Sequence, residues 1–169
     1  MRHSATSVRS LRGADSAALS GRHHGPNQAT FTSTLRVRSY ELDSNGHVNN
    51  AVYLGYIEEI ATLHAEALGF GRAWADANGG MWVVRRHDIT YLLPAGYGDE
   101  LELTTEVEDM RGARAMRHTT IRFGSDGRLV ADIRTEWVWL RRADGRPTRL
   151  PQDIIDALEH ARRNSSTRL

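Results

Sequence analysis

The sequence contains no cysteine among its 169 residues. Disulfide bonds, cysteine-ligated zinc sites and a thiolate nucleophile are therefore excluded. A fold without such cross-links relies on its hydrophobic core, and the apolar fraction of 40% is that of an ordinary globular protein. The length is enough for one domain with a core of this kind.

Long hydrophobic runs and an excess of one charge are also missing. No stretch approaches the roughly 20 apolar residues that a membrane span needs, and no apolar signal-peptide core lies near the start. The 22 basic residues are balanced by 21 acidic ones, and no dense basic run is present. We therefore expect neither a nucleic-acid partner nor a membrane partner, and a cytoplasmic location.

The N-terminal residues differ in composition from the rest of the chain. Arginine, serine, glycine and alanine dominate them, Asp15 is their one acid, and hydrophobic periodicity is absent. We expect a disordered extension over residues 1–30, although a transit peptide, an overlong start or a vector remnant would have a similar composition. A folded domain is predicted over residues 31–150, followed by a C-terminal helix and tail over residues 151–169.

Periodicity in the remaining chain predicts an α+β fold. Apolar and polar residues alternate from Phe31 to Arg38, which indicates a strand. Residues 50–68 carry apolar side chains at helical spacing, with Asn49 or Asn50 as a candidate N-cap and Gly69 as a stop. Four further strands, arranged as a meander, and a final helix are predicted over residues 81–92, 99–108, 113–123, 129–140 and 151–162.

The segment before the long helix carries the residues that could take part in a reaction. Asp43, Asn45 and His47 alternate, so their side chains would share one face if the chain were extended there. They lie next to a helix N-terminus, where backbone N–H groups are unpaired and anions are favoured. A carboxylate, an imidazole and such donors are what acyl transfer requires. The Asp-Ser-Asn-Gly run is equally good turn chemistry, and the segment lacks the spacing of an EF-hand or of a histidine metal site.

Two stretches of the chain resemble the 4-hydroxybenzoyl-CoA thioesterase-like family and the acyl-ACP thioesterases. The first is VRSYELDSNGHVNNAVYLGYIEE over residues 37–59, and the second is DITYLLPAGYGDEL over residues 88–101. The resemblance covers about residues 31–150. It implies a hot-dog fold, in which a five-stranded antiparallel sheet wraps a long central helix. It also implies a homodimer or homotetramer with active sites at the subunit interface.

The resemblance also implies roles for individual residues. Asp43 would act as nucleophile or general base, and the backbone N–H of Asn50 would hold the carbonyl oxygen. Asn45 and His47 match positions implicated in catalysis in the acyl-ACP relatives. Those relatives carry a further acid near the position of His87, where this sequence departs from the pattern.

Further residues complete the expected site. A second hot-dog branch takes its catalytic acid from the helix, at about the position of Glu58. We expect the substrate to lie against Asn50, Gly46, Val48 and Tyr53, the last of these as core or as a wall of the acyl pocket.

We expect an acyl-CoA or acyl-ACP thioesterase that releases a free acid and a thiol without a metal or redox cofactor. A hot-dog dehydratase or isomerase, or a non-catalytic acyl-thioester binding protein, would use the same pocket. The acyl group, the carrier and the number of subunits stay open at this point.

Overall fold

The structure is a computed structural model that describes residues 29–166. Almost all of the predicted N-terminal extension, and the last residues of the predicted tail, lie outside this range. The described residues form five strands and three α-helices in the order β1 (Thr30–Arg36), α1 (Val52–Ala67), α2 (Arg72–Ala77), β2 (Gly80–Tyr91), β3 (Glu100–Arg111), β4 (Arg114–Phe123), β5 (Leu129–Arg141) and α3 (Gln152–Ser166). A single 3-10 turn, Ser39–Glu41, lies between β1 and α1. The predicted helices and strands are thus confirmed, with ends that differ by a few residues.

The five strands form one antiparallel sheet in the order β1-β3-β4-β5-β2. The predicted four-stranded meander is wrong in one respect, because only β3, β4 and β5 follow one another across the sheet. Strand β2 pairs with β5 at the far edge, and residues 92–99 return the chain to the other edge. This connection is held at both edges, where the Leu92 N–H bonds to the Val130 carbonyl (2.9 Å) and the Gly98 N–H bonds to the Val37 carbonyl (3.1 Å).

The alternation along each strand places one face of the sheet against α1. Residues buried on this helix recur every three to four positions, as a helix with one apolar stripe requires. Ile60 from the helix and Leu101 and Ile133 from the sheet are fully buried and belong to the same cluster. Each large apolar side chain buried in this way contributes roughly 1.5–3 kcal/mol. The contact between α1 and the sheet is therefore a major source of stability.

The start of α1 differs from the predicted cap. Ala51 is the N-cap residue, and the helix begins at Val52. Asn49 acts two residues earlier, because its side-chain oxygen accepts the Ala51 N–H (2.9 Å) and its carbonyl accepts the Val52 N–H (2.8 Å). The predicted stop is confirmed, since Gly69 follows the C-cap Leu68 with a φ of 83°.

Helix α3 covers a second, smaller part of the core. Ile154 from α3 and Ala75 from α2 pack around Trp139 of β5. No helix within residues 29–166 is long and apolar enough to cross a membrane. The cytoplasmic location stays a prediction.

Candidate active site

Residues 41–49 form a tight turn directly before α1. The Asn49 N–H bonds to the Glu41 carbonyl (2.9 Å), and the Asp43 N–H bonds to the His47 carbonyl (2.7 Å). Gly46 has a φ of 77°, a backbone conformation that glycine adopts without strain. Because the chain folds back at this point, the extended conformation assumed for the alternation of Asp43, Asn45 and His47 is not formed. The turn nevertheless gathers the same three residues.

The Asp43 carboxylate is held by the backbone of its own turn. Its Oδ1 atom accepts the N–H of Asn45 (2.8 Å) and the N–H of His47 (3.2 Å). These bonds favour the charged form, so they lower the pKa of Asp43 below its ordinary value, with the His47 backbone as the largest cause. The His47 charge and the Asn45 side chain lower this pKa further. Asp43 is therefore an oriented and ionised carboxylate at neutral pH.

The backbone of Asn50 presents a donor close to this turn. Its N–H makes no hydrogen bond with any other part of residues 29–166, whereas its carbonyl accepts the Tyr91 hydroxyl (3.0 Å). The residue is exposed and lies two positions before α1. An unused N–H at a helix N-terminus is suited to an oxygen that gains negative charge.

Glu41 is a buried carboxylate at the start of the turn, and the sequence did not single it out. Glu41 is 5% exposed and accepts the Arg38 N–H (2.7 Å), the Arg38 guanidinium (2.8 Å) and the Tyr56 hydroxyl (2.8 Å). Burial and the bond to Glu41 raise the pKa of Tyr56, so this hydroxyl stays a donor. The spacing of Arg38 and Glu41, three positions apart, was the available sequence signal.

Three of the predicted substrate-contacting residues occupy different surroundings. Val48 is buried in the core, and its N–H bonds to the Ala95 carbonyl (2.8 Å). Tyr53 is also buried, with edge-on ring contacts to Tyr56 (5.9 Å) and Tyr91 (5.2 Å), and burial raises its pKa to about 12. Gly46 is exposed in the turn itself. Val48 and Tyr53 therefore hold the turn against the core, and Gly46 is the accessible member.

Glu58 lies on α1 near His87 of β2 rather than at the Asp43 turn. Burial lowers the pKa of His87, and the Glu58 charge partly opposes this shift. The ring of His87 is bonded to the Thr135 hydroxyl (3.0 Å). Within the described part of the chain, no hydrogen bond or ion pair joins Glu58 to Asp43. The two positions compared with acids of related enzymes, Glu58 and His87, thus interact through charge and are not joined to the turn by a hydrogen bond or ion pair among the described residues.

The fold agrees with comparisons to known proteins. The sequence model of the thioesterase-like superfamily matches residues 37–158. The chain is 29% identical to the long-chain acyl-CoA thioesterase FadM of Escherichia coli over 74% of its own length and 94% of that protein.

Two solved structures show the same fold. The 12:0-ACP thioesterase from Umbellularia californica has a TM-score of 0.70 at 20% identity, with 79% of this chain covered. The chain spans about half of that protein, at 50%. A 1,4-dihydroxy-2-naphthoyl-CoA thioesterase from Synechocystis has a TM-score of 0.70 at 20% identity, over 76% of this chain and 95% of the other.

These comparisons confirm the predicted hot-dog fold and the predicted enzyme class, a hydrolase of acyl thioesters. They leave the roles of individual residues as predictions. Because the superfamily match extends over most of the sequence, the chain belongs to the thioesterase-like superfamily.

Proposed function

We propose that the Asp43 turn is the site at which this enzyme hydrolyses acyl thioesters of CoA or of acyl-carrier protein. One observation carries the proposal: an oriented, ionised carboxylate and an unused backbone N–H flank the start of α1. Relatives named as acyl-CoA and as acyl-carrier-protein thioesterases support both carriers.

In this mechanism the thioester carbonyl oxygen accepts a hydrogen bond from the Asn50 N–H. Negative charge grows on that oxygen as the carbonyl carbon becomes tetrahedral, and one such donor accelerates reactions by roughly 100- to 1000-fold. The reaction breaks the carbon–sulfur bond, and the thiolate leaves and takes up a proton. Water supplies the second oxygen of the released acid.

Asp43 can act on the carbonyl carbon in two ways. As a nucleophile it forms a mixed anhydride that water then cleaves, and as a general base it removes a proton from the attacking water. Both routes need the ionised form that the backbone N–H groups maintain. A single turnover in water enriched in heavy oxygen detects the nucleophilic route when water attacks the Asp43 carboxyl carbon of the anhydride, because only then is the label left on Asp43. Attack at the acyl carbon places the label in the released acid in either route.

The remaining predicted residues have supporting roles in the proposal. His47 and Asn45 orient and polarise Asp43, on which both act electrostatically. Glu58, whose charge acts on His87, is proposed to support the site from α1 without contacting Asp43.

We further propose a cytoplasmic homodimer with β2 at its interface. Three of the exposed large apolar residues, Val83, Tyr91 and Leu92, lie on β2 or directly after it. Sedimentation should give about twice the monomer mass of 18.9 kDa or, for a tetramer, about four times that mass.

Asp43→Asn tests the central assignment. The amide keeps an oxygen that can accept the turn N–H groups but removes the negative charge, so we expect the fold to survive and kcat to fall by about 100- to 10,000-fold. Thiol release from aromatic, short-chain and long-chain acyl-CoAs measures the loss and identifies the preferred acyl group.

Asp126→Asn is a matched control for this substitution. Asp126 also accepts a backbone N–H of its own turn, from Arg128 (3.0 Å), and its pKa is also lowered, but it lies in the β4–β5 hairpin. The Asp126→Asn substitution should leave turnover unchanged. Normal thiol release by Asp43→Asn would remove Asp43 from the mechanism, and conversion of the acyl group without thiol release would exclude hydrolysis.

A further inference from the structure

A cavity of about 430 Å³ lies under the C-terminal half of α1, at the opposite end of this helix from the Asp43 turn. The sheet, α2 and α3 provide its other walls. Its lining is largely apolar and includes Ala61, Leu68, Phe70, Met81, Trp82 and Leu158. A volume of this size is that of an ordinary small-molecule site.

The charged residues in the lining all have the same sign. They are Arg72, Arg117 and Arg142, and none of the acids among residues 29–166 lines the cavity. Arg142 is paired with Asp76, whereas Arg72 is exposed. The cavity therefore combines a hydrocarbon-like surface with a local excess of positive charge.

Arg117 is the charged residue that the fold directs inward. It follows Ala115 on the face of β4 that also carries the buried Thr119 and Ile121. Its Nη1 atom donates to His64 Nδ1 (2.9 Å) and to Thr105 Oγ1 (3.2 Å). A guanidinium can only donate, so Nδ1 of His64 is an acceptor in this bond.

Both of these partners are uncharged. Between residues 29 and 166, no carboxylate lies within ion-pair distance of Arg117. Burial lowers the pKa of Arg117 to about 10, a value at which the side chain is still charged at neutral pH. Charges in protein interiors are normally paired, because leaving water without a partner is costly.

A second donor in the same lining has no acceptor among residues 29–166. The indole Nε1 of Trp137 is buried and has no hydrogen-bond partner in the part of the chain that the structure describes. Buried polar groups without partners are uncommon in folded proteins. The two groups are both donors, which points to a ligand that supplies acceptor oxygens.

We propose that this cavity binds an amphiphile with a carboxylate head, such as a free fatty acid, with the carboxylate against Arg117 and the chain along the apolar walls. The carboxylate supplies the missing negative charge and the acceptors, and the chain fits the apolar lining. This binding site goes beyond the proposed reaction and does not rest on it.

Tryptophan fluorescence can test the proposal in the full-length protein. Trp82 and Trp137 line the cavity, and Trp74 and Trp139 pack within 5.6 Å of one another, centroid to centroid, directly behind it. These are all four tryptophans of the sequence. The signal therefore reports on this region alone.

The titration uses dodecanoate, dodecanol and dodecyltrimethylammonium, which share a chain and differ in head-group charge. We expect dodecanoate to bind most tightly, and a terminally brominated dodecanoate to quench the fluorescence by contact. In Arg117→Met the affinity for dodecanoate should fall by roughly tenfold to a hundredfold, while that for dodecanol changes little. Dodecanoate should also raise the Tm of the wild-type protein but not that of Arg117→Met.

Two further variants act as controls. Arg122→Met makes the same change at an exposed position of the same strand, and its dodecanoate affinity should equal that of the wild type. Asp43→Asn should bind dodecanoate normally, so this proposal and the proposed reaction can fail separately. Arg117→Met should fold, because the half-buried Arg117 has no ion-pair partner between residues 29 and 166 that the substitution would leave as an unpaired charge.

Two results would overturn the proposal. One is a wild-type protein that binds dodecanol or dodecyltrimethylammonium as tightly as dodecanoate. The other is an Arg117→Met variant that keeps the wild-type affinity for dodecanoate.

Discussion

The two ends of α1 treat a charged side chain in opposite ways. At the N-terminal end, Asp43 lies in a partly exposed turn whose backbone already supplies hydrogen bonds to its carboxylate. Beside the C-terminal half, Arg117 lies among apolar side chains and has only uncharged partners. The first arrangement is complete and fixes the group that we propose as reactive, whereas the second lacks a counter-charge and leaves donors for the proposed ligand. A charged group whose hydrogen bonds are all supplied by the fold is therefore a candidate for catalysis. A charged group that the fold leaves without a counter-charge is a candidate for ligand binding.

The two ends of α1 also pack against different hydrophobic clusters. The Asp43 turn rests on the main core cluster through Val48, and polar support comes from Glu41. The cavity borders a separate cluster built around Trp139. The two regions can therefore be perturbed one at a time.

The largest expected effect on stability is that of Gly80→Ala in β2, beside the cavity. A Cβ atom at this position would lie 1.9 Å from Cζ2 and 2.3 Å from Cε2 of the Trp139 indole. This ring is held by Trp74 (5.6 Å) and Trp82 (5.2 Å), so it has little room to move. We expect a loss of about 3 kcal/mol in the free energy of unfolding, measured by urea denaturation.

Gly55→Ala is the control for this change. Gly55 lies in α1 with open space around its missing Cβ, so alanine there should stabilise the protein by about 0.5–1 kcal/mol. In Gly80→Ala, turnover per folded molecule should stay close to the wild-type value. A large loss of kcat in the folded fraction would show that the two ends are coupled.

A smaller effect is expected for Tyr56→Phe at the Asp43 end. The substitution removes the hydroxyl that donates to Glu41, which leaves a buried carboxylate with fewer donors. The free energy of unfolding should fall by about 1.5 kcal/mol. Because the Glu41 carbonyl also holds Asn49, kcat should fall as well, whereas dodecanoate binding at the cavity should not change.

Tyr97→Phe removes a hydroxyl from a tyrosine that is 70% exposed, and it should change neither stability nor turnover. Equal effects of the two tyrosine substitutions would contradict the role given to Glu41.

The smallest effect is the response to mild acid. The pKa of Asp43 is lowered, so its carboxylate stays ionised as the pH falls and is protonated only below the ordinary value of 3.8. The Asp43 contribution to kcat/KM should thus be constant from neutral pH to about pH 5. Carbon-13 NMR of labelled carboxylates would follow the titration directly, and a midpoint above the ordinary value would contradict the turn geometry.

Much of the fold could be predicted because it depends on local periodicity. The apolar stripe from Tyr53 to His64 and the alternation in β3 and β4 define elements that the structure confirms. The position of β2 beside β5 could not be predicted in this way. Pairing between strands that are distant in sequence depends on how the whole sheet closes around α1.

The geometry of the candidate site was predictable in part for the same reason. Asp43 and the approximate start of the helix were recognisable from spacing. An extended chain was the wrong local geometry, because Asp43 and His47 form hydrogen bonds that close a turn instead. Arg117 was overlooked, although its place in the alternation between Ala115 and Thr119 assigns it to the inner face. A charge at an inward position was the available signal.

The unpaired Arg117 makes the stability of the protein depend on its surroundings. A ligand that binds the folded state alone shifts the folding equilibrium in proportion to the logarithm of its free concentration. The folded state of an enzyme that releases free acids would then be stabilised by its own class of product. Where such acids are scarce, a larger fraction of the molecules would open and become substrates for proteases. The lifetime of the protein, and not only its rate, would follow the supply of acyl groups.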